Sequence, residues 1–299
     1  MDGIITSYQL SPGGEPNSGR LTIIGEDVSV MMALREQQRF FPGMSDYAIA
    51  NVILATYATY SVVPMVTIPP TPPPLPTERT PHRNGTDLQI LEEIASAYKA
   101  VFYIDPLTIP GVNRAYLGPS IRASVPQRAL TYGMGPASNV TSIQFTSDGN
   151  RPRFIEGVVQ PSPIDPKAPP LPPVPVIAPP LPIPPLAAMP ALAGNAPYVA
   201  SKLITDQKQG DLAAVIATVI ADAAASTQSA VTASGELDVG RYGAILKPRG
   251  VVAVRGVGLT FDGFWYVKSV THNVSRSGYK QQFNLERDGT MPLSPVVPP

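Results

Sequence analysis

The chain has 299 residues, with 22 Lys+Arg against 22 Asp+Glu. That balance supplies no net field toward nucleic acid or an anionic membrane. It holds no cysteine and only two histidines, His82 and His272, so disulfide staples, thiolate chemistry and His/Cys metal sites are excluded. Hydrophobic residues make up 43%, enough for ordinary cores at a length that predicts about two domains. The 37 prolines and a charged fraction of only 15% call for linker or polyproline segments as well.

The first residues, MDGIITSYQL, carry no basic stretch followed by an apolar run, so no export signal is expected. Ser45-Asp46 precede YAIANVILATYA, and Thr86-Asp87-Leu88-Gln89 opens LQILEEIASAYKA with a Thr-x-x-Gln capping box. These pairs predict two helices. Each runs into a short β-branched or aromatic segment, VVPMVTI and VFYID, which suggests a duplicated helix-then-strand unit forming one small α/β domain over 25–105. A small proline cluster, Val63 to Pro76, lies between the two copies.

From Val112 the period changes to two. ALTYG, NVTSIQFTSD and RFIEGVVQ, bounded by Gly, Pro and Asn, read as strands. Fourteen of the prolines then fall between Pro161 and Pro190 and predict an extended polyproline II spacer. Beyond it Leu212, Val215, Ile216, Val219 and Ile220 recur at helical spacing within the Ala-rich stretch Lys208 to Ala230. The proline interruptions leave no continuous apolar run long enough to span a bilayer. AILKPRGVVAVRG, FWYVKSVTHNVS and YKQQFNLER follow as a strand meander with turns at Asp262-Gly263 and Arg276-Ser277-Gly278. In the last strand Tyr279, Phe283 and Leu285 face one way, and Lys280, Gln282, Asn284 and Glu286 the other. The tail PLSPVVPP is expected to fray.

Three strands make a marginal domain, so strands from both sides of the spacer are expected to share one barrel. The fold class is then α+β: an antiparallel β-barrel, a small α/β domain, and a Pro-rich insertion carrying the Ala-rich helix.

Chemistry is sparse. Gly256-Val257-Gly258 lacks the third glycine and following helix of a dinucleotide cradle and reads as a bend. Glu92-Glu93 and Asp87 sit on a helix whose apolar positions are Leu88, Leu91, Ile94 and Ala95, which places the acids on the solvated side. His272 alternates with Val270 and Val274 and reads as a partly buried structural residue, and His82 lies in the polar loop ERTPHRNG. Phe264, Trp265 and Tyr266 are expected in a core or interface, with a carbohydrate-stacking platform as the alternative. A lytic enzyme, the third reading, needs carboxylates in a cleft that the sequence does not locate; loss of wall lysis on changing Glu92 or Glu156 would support it. No catalytic, cofactor-binding or metal site is expected, and no enzyme.

Three blocks in order do suggest a family: LTIIGEDVSVMMALREQQRFFPGMSDYAIANVILATYA, then GTDLQILEEIASAYKAVFYIDP, then GELDVGRYGAILKPRGVVAVRGVGLTFDGFWYVKSVTHNVSRSGYKQQFNLERDG. Together they resemble the phage late control gene D family, the hubs of contractile tails, type VI secretion spikes (VgrG-like) and extracellular contractile injection systems. The resemblance implies a homotrimeric baseplate hub whose subunits each give two tube barrels, joining the inner tail tube to a central spike and to other baseplate proteins. It implies no specific nucleic acid partner, no membrane insertion, assembly in the cytoplasm, and residence in a virion or tail-like particle. Residues 1–24 then stand as remnant strands of a first tube barrel. Residues 106–160 with 236–290 form the second, 161–235 its Pro-rich spacer and helix, and 291–299 a tail. The alternative reading is a surface binding module on a Pro-rich stalk.

Overall fold

Two large groups of buried apolar side chains account for most of the architecture, and each belongs to one compact unit, Met1–Pro119 or Ser120–Pro299. The computed structural model describes residues 3–13, 19–69, 80–159, 174–178, 184–191, 200–204, 212–276 and 278–293. Most of the two internal proline clusters, and the C-terminal tail from 294 onward, lie outside the described residues.

The first unit runs β1 (Ile4–Ser11), β2 (Arg20–Glu26), α1 (Val30–Ala33), β3 (Glu36–Phe40), α2 (Asp46–Ala55), β4 (Val62–Val66), β5 (His82–Thr86), α3 (Asp87–Ala97), β6 (Val101–Pro106) and β7 (Asn113–Gly118). Among the described residues β1 and β2 pair only with each other, β3 with β5, and β4 and β6 flank β7. β7 therefore belongs with the α/β unit, which ends at Pro119 and not at residue 105, because β7 is the strand that joins β4 in parallel to β6 in antiparallel.

Both predicted helices start where expected. Ser45 Oγ accepts from Ala48 N at 3.3 Å, and Thr86 and Gln89 complete a reciprocal capping box. Their buried faces correspond position by position: Ile49, Ala50, Ile53 and Leu54 in α2, and Ile90, Leu91, Ile94 and Ala95 in α3. The duplication also extends to polar groups, which bond crosswise. Arg39 of β3 pairs with Asp87 at 3.1 Å, and Tyr57, just past α2, donates to the same carboxylate at 2.7 Å. Reciprocally, Arg83 of β5 pairs with Asp46 at 2.8 Å, and Tyr98, ending α3, donates to Asp46 at 3.3 Å. Arg39 and Arg83 stand opposite each other in the β3–β5 ladder. Each acid sits in the first turn of its helix, where the dipole favours negative charge. Burial, then the bond to Asp87, pushes the Tyr57 hydroxyl well above the usual range.

The second unit contains β8 (Gln127–Thr131), β9 (Val140–Ser147), β10 (Arg153–Val159), β11 (Val174–Ala178), β12 (Ala187–Pro190), β13 (Ala200–Ile204), α4 (Leu212–Gln228), β14 (Val231–Asp238), α5 (Val239–Tyr242), β15 (Val251–Arg255), β16 (Gly263–Ser275), β17 (Gly278–Arg287) and β18 (Gly289–Pro292). Six strands form its main sheet in the order β8-β15-β16-β17-β14-β9. Every one of them contributes to a shared core, from Leu130 and Val140 on the edge strands to Val252, Trp265, Phe283 and Ala233 within, so the sheet curls into a half-barrel. The β15–β17 meander is present as expected. Two features differ from an antiparallel barrel built from 106–160 and 236–290. β8 runs parallel to β15. β10 leaves the main sheet to pair with β11 and β13, while β14, beginning inside the supposed spacer, takes a central place between β17 and β9.

Helix α4 packs on the small β11-β10-β13 sheet through Val219 and Ala223, which bury against Ile155 and Ala178. Ile220 of the predicted stripe is exposed. Within the proline-rich stretch, 174–178 and 184–191 are described, and the strands found there replace the expected polyproline geometry. Among the described residues β11 is an edge strand, the place in a sheet where a proline such as Pro175 is tolerated. β12 pairs with β18, and both carboxylate oxygens of Asp288 accept from Leu186 N, at 3.0 and 3.2 Å.

Candidate assembly surfaces

The β1–β2 ribbon alternates over Tyr8–Ser11 and Arg20–Ile23, up to a register irregularity between Ile5 and Ser7. Its register sets Tyr8 against Ile23 and Leu10 against Leu21 on one face, while Gln9, Thr22, Ser11 and Arg20 occupy the other. No residue of the ribbon is buried. Tyr8, Leu10, Leu21 and Ile23 are 76, 65, 57 and 56% exposed. A two-stranded ribbon is marginal in water, and a contiguous apolar face on one marks a surface that another element covers.

The half-barrel shows the opposite arrangement. Its apolar face is enclosed, and its outer face is a field of short polar side chains running across four strands. Ser142 and Gln144 of β9 neighbour Glu236 and Ser234 of β14, which neighbour Gln282 and Asn284 of β17, and these in turn Thr271 and Ser269 of β16. Asn284 donates to Ser269 at 2.9 Å, and Lys280 pairs with Glu236 at 2.7 Å, so most of this face is uncharged or internally neutralised. Glu286 departs from the predicted wet face: it is buried, paired to Arg122 at 2.8 Å, because Arg122 reaches in to bond the Gln228 carbonyl and lie over Tyr266. Burial lowers the Arg122 pKa.

One end of the half-barrel is closed off by Asn139. Its amide donates to Ala129 O at 3.0 Å and accepts from Thr131 N at 2.8 Å, occupying backbone groups that edge strand β8 would otherwise offer to another chain. Among the described residues no strand pairs with the outer side of the other edge, β9. At the β17–β18 corner Arg287 donates to the carbonyls of Gly289, Asp262 and Thr260 at 2.8, 2.8 and 2.7 Å, with Trp265 stacked at 4.5 Å. Burial lowers this guanidinium to about 10. Its three bonds fasten the 260–262 loop to the β17–β18 corner.

The residues weighed for chemistry are scattered. Glu92 and Glu93 are exposed, Glu93 lying 3.6 Å from Arg83. Asp87 is buried, contrary to a solvated placement, because it receives Arg39 and Tyr57. His82 lies in strand β5, not a loop, against Phe40 and within 2.8 Å of Gln38 Nε2. His272 is exposed, not half-buried, since β16 outruns the core there, and its Nδ1 lies 2.6 Å from the Tyr279 hydroxyl. Trp265 and Tyr266 are buried, Trp265 donating to Phe261 O at 2.9 Å, which removes the stacking platform that a carbohydrate module needs. Glu156 is an exposed residue of β10. Gly256 and Gly258 both take positive φ, as the bend reading requires, and a Cβ on Gly256 would collide with the Tyr132 carbonyl. Among the described residues no three His, Asp or Glu side chains converge, and no helix is long and apolar enough to cross a membrane.

No protein-family model matches the sequence, and no curated protein matches it. Solved structures do. A tail protein from Neisseria meningitidis MC58 superposes with a TM-score of 0.65 at 17% identity, over 97% of this chain and 80% of that one. The 43 kDa tail protein of prophage MuSo2 from Shewanella oneidensis gives 0.59 at 12% identity, over 96% and 78%. A looser likeness, 0.48 at 7% identity over 98% and 41%, is to the Francisella PdpA–VgrG complex. In fold, this chain is similar to phage tail proteins, in keeping with the resemblance carried by its three sequence blocks.

Proposed function

We propose that this chain is a structural hub subunit of a contractile phage tail or a related injection system, joining the inner tail tube to a central spike. The observation that carries the reading is the fold shared along nearly the whole chain with two tail proteins. The uncovered apolar ribbon supports it, since such a face requires a partner. In this reading three copies form a ring. The ribbon supplies remnant strands of one tube barrel, and the half-barrel, closed by neighbours, supplies the second. The proline-rich stretch is an insertion. The subunit assembles in the cytoplasm, is carried in the particle, and has no catalytic role, bound cofactor, specific nucleic acid partner or membrane insertion.

The test is immunogold electron microscopy of particles sedimented from the native source, with an antibody raised to this chain. Label at one end of sheathed tubes is expected. Bare tubes with label confined to the soluble fraction would end the hub reading. Sedimentation equilibrium of the purified chain examines the trimer separately.

A further inference from the structure

Three arginines line one cleft of about 220 Å³ at the β8 edge of the half-barrel, together with Thr131, Ser138 and Asn139. They arrive from separate elements: Arg128 from edge strand β8, Arg241 from the short helix α5, and Arg255 from the end of β15. The scaffold beneath them is fixed. Tyr242 donates to the Arg128 carbonyl at 2.6 Å, Asn139 bridges the β8 backbone, and Arg255 Nε donates to Thr131 Oγ1 at 2.9 Å. Among the described residues no carboxylate lies within ion-pair distance of any of the three. The nearby acid in sequence, Asp238, has Oδ1 occupied by the backbone N–H groups of Gly240 and Arg241 at 2.8 and 3.2 Å. Three like charges converging on one concavity repel one another until an anion occupies it, and guanidinium forks favour planar oxyanions.

We propose that Arg128, Arg241 and Arg255 form a receptor for one acidic side chain of a partner protein. The cleft is of a size for a single carboxylate on its stem, and its other walls, Ala129, Pro136 and Ala137, suit an aliphatic stem. A nucleic acid track would need basic residues repeated along a groove, whereas this chain is neutral overall and the arginines form one point. The inference concerns a site that the hub reading does not use, and the two can fail independently.

The probe is a fluorescently labelled tetraglutamate peptide, compared with a labelled oligothymidylate of the same net charge, in anisotropy titrations against the full chain. The variants are R128Q/R241Q and, as a charge-matched control, R153Q/R276Q, whose arginines are exposed elsewhere in the same unit. The single variant R241Q, on the exposed face of α5, repeats the measurement should the double variant melt at a lower temperature. Loss of charge-assisted hydrogen bonds predicts peptide binding weakened roughly tenfold or more by R128Q/R241Q, several-fold by R241Q, and hardly at all by the control. No binding of the peptide, or equal loss in the control, overturns the site. Tighter binding of the oligothymidylate, lost in R128Q/R241Q, overturns the carboxylate assignment in favour of nucleic acid phosphate.

Discussion

The molecule contains two antiparallel hairpins with similar alternation and opposite fates. In β16–β17 the apolar side chains Trp265, Val267, Phe283 and Leu285 are wholly enclosed by the curled sheet. In β1–β2 the equivalent row, Tyr8, Leu10, Leu21 and Ile23, gains no third strand among the described residues and remains more than half exposed. Period-two patterning therefore reports that a face needs cover, not where the cover comes from. One hairpin holds this chain together. The other is held, in the proposed reading, by another copy or neighbour.

The largest effect that separates the two hairpins is expected from Phe283→Asp. Phe283 is 1% exposed and lies in the middle of β17. Losing the ring and burying an unpaired carboxylate costs on the order of 4 kcal/mol or more, comparable to a whole domain's margin. Circular dichroism should show the second unit unfolded, and a variant with wild-type melting would refute the placement of β17.

Gly235→Ala comes next. Gly235 stands opposite Phe283 in the β14–β17 ladder, and an added Cβ would strike the Ser142 carbonyl and come within 2.6 Å of the Phe283 ring. Overpacking of this kind costs about 1–3 kcal/mol, readable as a lower denaturant midpoint with unchanged slope. No change would mean that β14 is not clamped between β9 and β17.

The same residue explains why part of the fold escaped the sequence. The caps at Ser45 and Thr86 and the meander of β15 to β17 are visible because local residues decide them. β14 is not: Ala233 is its buried residue between Val231 and Leu237, and half-buried Gly235 is kept small against Phe283, so VTASGELD shows little hydrophobic alternation although it lies inside the sheet between β17 and β9. β3 and β5 escaped for a related reason, being polar strands such as EQQRF whose pairing places Arg39 and Arg83 for the crosswise acids. The arginine cleft could not be read at all, because residues 128, 241 and 255 meet only once β8 lies parallel to β15.

A smaller effect tests how the end of β17 is anchored. Burial raises the Asp288 carboxyl above its ordinary pKa, despite its bonds from Leu186 N and the nearby Arg122. A folded state that holds this proton more tightly than the unfolded chain gains stability in acid, and loses that gain as pH rises through the folded pKa. Asp288→Asn keeps an acceptor for Leu186 but removes the titration. The slope of unfolding free energy against pH should flatten from the unfolded carboxyl range upward. An unchanged profile would show that Asp288 does not titrate differently on folding.

The smallest effect on stability should accompany the largest on assembly. Tyr8→Ser with Leu21→Ser replaces two exposed members of the apolar ribbon face, one on each strand. Neither side chain is packed within the chain, so the unfolding free energy should change by no more than about 0.5 kcal/mol, as for other surface substitutions. Removing them takes apolar area from whatever covers the ribbon, and at about 25 cal/mol per Å² this weakens association by orders of magnitude when several copies each lose the same contact. Sedimentation equilibrium of wild type and double variant, beside their melting curves, separates the two quantities. Normal melting with lost self-association identifies the ribbon as the assembly element. Lower melting in a chain that is monomeric in both forms would show that the ribbon packs within its own subunit, and the contrast between the hairpins would then disappear.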